Sequence, residues 1–202
     1  MRRITFDILM ATAGLFLAVT LIASGALLAW AHSFIGGEVH TQLAAQQIYF
    51  PAADSKAVAA PEFAAMRPYG GQQLTTGAQA EVYADHFIAN HLKAAGGGKT
   101  YAQLSAEAIA QPKNAALTAQ VATAFKGETL RGLLLNAYAF GTMGTIAGIA
   151  AIAAFIAAAV MLILSGLGLM HARRVSPAAE ILSGHPANGR APVPASTPGS
   201  QV

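Results

Sequence analysis

The side chains in this chain that could do acid–base or metal chemistry are its histidines and carboxylates, and the closest histidine pair is His86 and His91. A helix turns about 100° per residue, so five positions set two imidazoles about 140° apart, whereas a two-histidine helical metal site uses a spacing of four. On such a helix His91 falls among Ala84, Phe87, Ile88 and Ala95, and His86 falls near Asn90 and Lys93. The spacing therefore predicts a partly buried, hydrogen-bonded His91 and a surface His86, with metal binding by the pair as a weak candidate. His32 and His40 share the same segment and could converge with either one. Glu81 and Asp85 stand one turn apart, a like-charge spacing that needs a neighbouring cation or a solvated face. The solvated face is the expectation.

Other chemistries find fewer groups. With no cysteine in 202 residues, thiol nucleophiles, disulfides and thiolate metal sites are excluded. There is no Gly-x-Ser-x-Gly elbow and no Ser-x-x-Lys box. Gly96-Gly97-Gly98-Lys99-Thr100 has the outline of a phosphate loop but lacks that loop's first glycine, and no strand precedes it. It reads as a helix stop followed by a helix start. Among the charged residues Arg131 is the most informative, because it stands just before a long apolar stretch with Glu128 one turn earlier. It predicts an interfacial anchor that reaches lipid phosphates and pairs with Glu128, or else a docking surface for another membrane protein.

The elements that must position these groups are set by composition. Hydrophobic residues make up 54% of the chain and charged residues 10%, far below the share in a soluble domain. Residues 8–31 carry no charge, and 24 residues at about 1.5 Å each cross a hydrocarbon core of about 30 Å with some tilt. A cleaved signal peptide is the rival reading, since Arg2 and Arg3 lead the segment and Ala29-Trp30-Ala31 has a small-x-small form, but the run is too long for one. Residues 132–170 form a second uncharged stretch, about 58 Å if helical and nearly twice what a bilayer needs. A division follows: an interfacial helix over 132–142 and a transmembrane helix over 143–169. Trp30 and Tyr138, the latter with Phe140, are then expected at one membrane face as interfacial anchors.

Direction comes from the arginines. Arg2 and Arg3 precede the first span and Arg173 and Arg174 follow the second, so both termini are predicted cytoplasmic in a protein of the plasma membrane. Residues 32–131 hold seven basic and seven acidic residues, a balance that leaves no basic patch for nucleic acid, and are predicted extracytoplasmic. Small residues line both spans: Gly144-x-x-x-Gly148 in the second, Gly14 and Ala18 in the first. They let helices approach closely, so the bilayer is the first partner, each span packs on the other, and self-association or another membrane protein is the further expectation. No Asp, Glu, Lys or Arg interrupts either span, which argues against a transporter.

Within residues 32–131, Pro51, Pro61, Pro68 and Gly70-Gly71 allow only short helices or extended pieces. Thr76 with Gln79, and Thr100 with Gln103, have the form of capping boxes. They predict a helix over 77–95, stopped by the three glycines, and another beginning at 100. Pro112 is expected to start a further helix through Phe125, with Gly127 as a break. Residues 170–202 read as a cytoplasmic tail, proline-rich and disordered. The fold class is thus an all-α membrane protein, two transmembrane helices flanking a small helical extracytoplasmic domain.

Leu74-Thr75-Thr76-Gly77, Tyr83-Ala84-Asp85-His86-Phe87, Gly98-Lys99-Thr100-Tyr101 and the run from Gly127-Glu128-Thr129-Leu130-Arg131 to Tyr138 resemble a family of uncharacterised actinobacterial two-span membrane proteins. The resemblance implies this topology. Some relatives bear an aromatic ring-opening dioxygenase name, which would imply a non-haem iron held by two histidines and a carboxylate. The sequence offers no assembled set of that kind beyond His86 and His91, so no cofactor is expected. The leading expectation is a non-catalytic accessory or assembly subunit of a cytoplasmic-membrane complex. An extracytoplasmic binding module acting through a partner, and an extracytoplasmic metalloenzyme, are the alternatives.

Overall fold

The computed structural model describes residues 3–174, and the expectation for the proline-rich segment from 175 onward lies outside the described residues. The described chain is all-helical. Two long helices, α1 (Arg3–Ala45) and α5 (Ala115–Arg174), enclose α2 (Gly77–Val82), a π-helical turn (Tyr83–Ile88), α3 (Ala89–Ala95) and α4 (Tyr101–Ala110) in sequence. Both long helices are apolar and long enough to cross a membrane. The described residues fall into two compact units, one of residues 3–19 and 158–174, the other of residues 20–157.

Helix α1 does not stop where its uncharged run ends at residue 31. It continues to Ala45 through Gly36 and Gly37, so Glu38 and His40 ride on the same rod. Its end is fixed by Gln47, a non-glycine residue at φ 52°, and by Gln73, whose Nε2 donates to the Ala44 carbonyl at 2.8 Å. Beyond it, Phe50 and Leu74 donate their amides to Gln72 and Ile48, lacing two extended pieces together. The prolines act as expected: residues 56–69 hold only two short 3₁₀ helices, Lys56–Val58 and Pro61–Tyr69. Arg67 holds this region together by donating to the carbonyls of Val58, Ala59 and Ala60.

Both capping boxes form, with Gln79 and Gln103 closing them on Thr76 and Thr100. Gly97 and Gly98, at φ 59° and 82°, end the 77–95 helical run in the left-handed conformation that only glycine adopts freely. The expected start at Pro112 and break at Gly127 are corrected. Asn114 caps α5 by accepting from the Leu117 amide at 3.1 Å, and the helix passes through Gly127 unbroken. Glycine there serves packing, because a Cβ would run into the Leu92 side chain. Nothing in the helix separates 132–142 from 143–169, and residues 170–174, expected in the tail, are its last turn.

The core of the larger unit gathers Leu43, Phe50, Val58, Met66, Leu74, Ala80, Ala84, Ile88 and Leu134. A second cluster of Leu104, Leu117 and Ala124 fixes α4 against the start of α5. Along α5 the buried positions Gly144, Ala151, Ala158, Ser165 and Ala172 recur every seven residues, and Ala11, Ala18 and Gly25 do so along α1. A seven-residue period keeps one seam of a helix facing a partner, and small residues there bring backbones close.

Candidate functional site

The π turn decides where the candidate side chains go. The π turn ends at Ile88, between His86 and His91, and its i to i+5 bonds break the even α-helical phase, so the arithmetic of an unbroken α-helix does not carry from one histidine to the other. Both meet the Pro61–Tyr69 helix. His86 donates Nδ1–H to the Glu62 carbonyl at 3.1 Å, and the His91 ring lies 5.8 Å from Phe63 and 4.2 Å from Phe87. His91 donates Nδ1–H to the Phe87 carbonyl at 2.7 Å. The expected burial is reversed, since His91 is exposed and His86 partly buried. Among the described residues no group of three or more His, Asp or Glu is placed to hold a metal ion.

Asp85 meets its cation from an unexpected direction. Arg131 donates to its carboxylate at 2.7 Å and lies 3.7 Å from Glu128. The guanidinium expected to reach lipid phosphates is thus turned onto the π turn, held between two carboxylates. Its Nε is buried with no partner in the structure. Glu107 pairs with Lys99 at 2.7 Å. Tyr83, in the same π turn, packs edge-on against Phe50 and over Phe87, and burial raises its phenol above the ordinary value.

Gly144 and Gly148 face α1 in the larger unit. His32 donates Nδ1–H to the Gly144 carbonyl at 2.8 Å, and a Cβ on Gly148 would stand 2.8 Å from the same nitrogen. A Cβ on Gly144 would meet Ile35 at 3.1 Å, and one on Gly25 would meet Phe155 at 3.0 Å. These pairs run antiparallel. In their register Trp30 lies level with residues near 150, about 18 Å along the pair from Tyr138. The two aromatics are therefore not level with one another along the pair, because α1 runs on past residue 31. Trp30 instead stacks on Phe34 at 5.4 Å. Tyr138 is half-buried where α2 begins, since Gly77 and Gly141 allow that turn to sit on α5. In the smaller unit, Gly14 faces Ser165 and Ala18 is fully buried.

Two recesses flank this part of the helix pair. A groove of about 540 Å³ has apolar walls that include Phe34, Leu133, Phe140 and Met143, and one polar column, Glu38, Gln42 and Gln46. A second recess of about 360 Å³ holds His40, Thr75, Thr76, Tyr138, Thr142 and Thr145. Sequence reasoning missed both, and it missed the bond made by His32. The groove had left a trace in the i, i+4 spacing of Glu38, Gln42 and Gln46, the first two near the end of α1 and the third just past it.

No protein-family model, no curated protein and no solved structure matches the chain.

Proposed function

We propose that the chain is a two-span protein of the cytoplasmic membrane, both termini inside and residues 32–131 outside, acting as a non-catalytic accessory or assembly subunit of a membrane complex. The observation that carries this reading is the use of its chemically capable side chains. His32, His86, His91, Asp85 and Glu107 are each engaged by a backbone carbonyl or a cation, locally for His91 and Glu107, while the bonds of His32, His86 and Asp85 join separate helices to one another. Groups committed in this way hold a shape, whereas a catalytic set converges on a substrate. Two long apolar helices, with Arg3 in the first turn of one and Arg173 and Arg174 in the last turn of the other, support the topology.

The chain has no cysteine, so single substitutions give an unambiguous test of topology. A membrane-impermeant maleimide added to intact cells labels Lys93→Cys and Lys113→Cys in this reading, and labels neither if the segment faces the cytoplasm. For the subunit role, the full chain extracted in mild detergent runs as a complex larger than its protomer. A lone protomer with no companion protein sinks that role. The apolar groove favours a second reading, a binding module that acts through a partner.

A further inference from the structure

The groove between α1 and α5 has walls that neither the fold nor a membrane span accounts for. Leu133, Phe140, Met143 and Phe34 are 61%, 53%, 49% and 54% exposed, yet they line one continuous recess. The first two belong to the part of the uncharged stretch that exceeds the length a bilayer needs, and Met143 stands at its junction with the expected span. Exposed apolar surface gathered in a recess marks a binding site more often than a bare surface.

From these features we infer that the groove holds the hydrocarbon chain of a membrane amphiphile drawn from the outer leaflet. The inference rests on the two-span reading. The apolar end, at Phe34 and Met143, adjoins the span and admits a chain sideways from the bilayer. The polar column lies along the α1 wall: from Phe34 to its last residue, Ala45, α1 rises about 16 Å, close to the half-thickness of a hydrocarbon core of about 30 Å. Glu38 and Gln42 stand one turn apart on α1, Gln46 follows its last residue, and along this wall the three offer contacts to the polar atoms of the occupant. Glu38 is the one charged residue lining the groove, so it selects a headgroup that donates hydrogen bonds or carries an ammonium, and it disfavours a bare phosphate.

The test uses the full chain in phosphatidylcholine nanodiscs doped with a lysophosphatidylethanolamine that carries a diazirine in mid-chain. Labelled residues are mapped by mass spectrometry. Label concentrated at Phe34 and Phe140, above that on the exposed face at Ile156 and Ile163, is the expected result. Leu133→Trp fills the groove without touching the core and lowers groove labelling by about tenfold, the effect of losing one well-packed apolar subsite, while Ile156→Trp leaves it unchanged. The same probe built on lysophosphatidic acid labels the groove less, and Glu38→Gln removes that difference. Groove labelling no greater than that of Ile156, or undiminished in Leu133→Trp, overturns the inference. So does cross-linking between protomers through position 133, which would give the groove to a second copy. If Ile156 and Ile163 are labelled and the groove is not, the lipid site falls and the two-span reading stands. If neither is labelled, both fall.

Discussion

Arg131 donates to the carboxylate of Asp85 at 2.7 Å across 46 positions of sequence, so one ion pair fastens the π turn to α5. Glu128, one helical turn before Arg131, holds the guanidinium from the other side at 3.7 Å. Asp85 and Arg131 side chains are 40% and 33% exposed, so solvent weakens the attraction. A double-mutant cycle of Asp85→Asn and Arg131→Met in detergent is expected to give a coupling of about 0.5–1 kcal/mol. It shrinks as salt is raised, because partly exposed charges are screened. A coupling indistinguishable from zero at low salt would show that the pair does not fasten the turn.

Gly148 and Gly166 lie on the same helix and predict opposite outcomes for one added methyl. A Cβ at Gly148 would stand 2.8 Å from His32 Nδ1, while nothing lies within 4 Å of one at Gly166. Gly148→Ala must push the imidazole off the Gly144 carbonyl and costs about 1–2 kcal/mol, the range of a crowded contact plus a lost hydrogen bond. Gly166→Ala is neutral or stabilising by up to about 1 kcal/mol, from the helix preference of alanine. Thermal unfolding of both variants reads this difference. In a His32→Ala background Gly148→Ala becomes tolerated, and a persistent penalty there would locate the crowding elsewhere.

The two capping boxes have the same sequence form and different depths. Gln79 is 7% exposed and its Oε1 accepts from the amides of both Thr75 and Thr76, while Gln103 is exposed and its Oε1 accepts from Thr100. Gln79→Leu removes the acceptor shared by two part-buried backbone donors and is expected to cost about 2 kcal/mol. Gln103→Leu, where water replaces the lost acceptor, costs about 1 kcal/mol or less. Equal losses in a denaturation series would contradict the burial of the first box.

Tyr83 gives the pH dependence. Burial raises its pKa above 10.0 in the folded chain, so the folded state holds the phenol proton more tightly than the unfolded one. The stability it contributes is fully present below 10.0 and is lost as pH climbs from there through the folded value. Ultraviolet titration of the five tyrosines is expected to show Tyr83 ionising late. Tyr83→Phe, which keeps the packing on Phe50 and Phe87, should lessen the fall in stability at alkaline pH. An unchanged alkaline limb would assign that loss to another group.

Local rules carried the reading of the sequence a long way for particular residues. Thr76, Gln79, Thr100 and Gln103 announce their helix starts because a capping box is closed within four residues. The stop at Gly97 and Gly98 is legible because the left-handed conformation belongs to glycine. The long apolar helices follow from composition alone. The candidate site was legible only in its ingredients. His86, His91, Arg131, Gly144 and Gly148 were all singled out, but their partners Glu62, Phe63, Asp85, His32 and Ile35 lie too far away in sequence for any spacing rule to name.

The sequence by itself determined an all-helical chain with two apolar helices long enough to cross a bilayer and short helices between them, because hydrophobicity, caps and breakers act over a few residues or by simple sum. Only the tertiary structure decided that α1 runs on to Ala45, that Gly127 is a contact and not a break, that Arg131 turns to Asp85, and that Phe34, Leu133, Phe140 and Met143 enclose a groove. Each of these depends on which surface a residue meets across space. A glycine reads the same in the sequence whether it ends a helix or makes room for a neighbour.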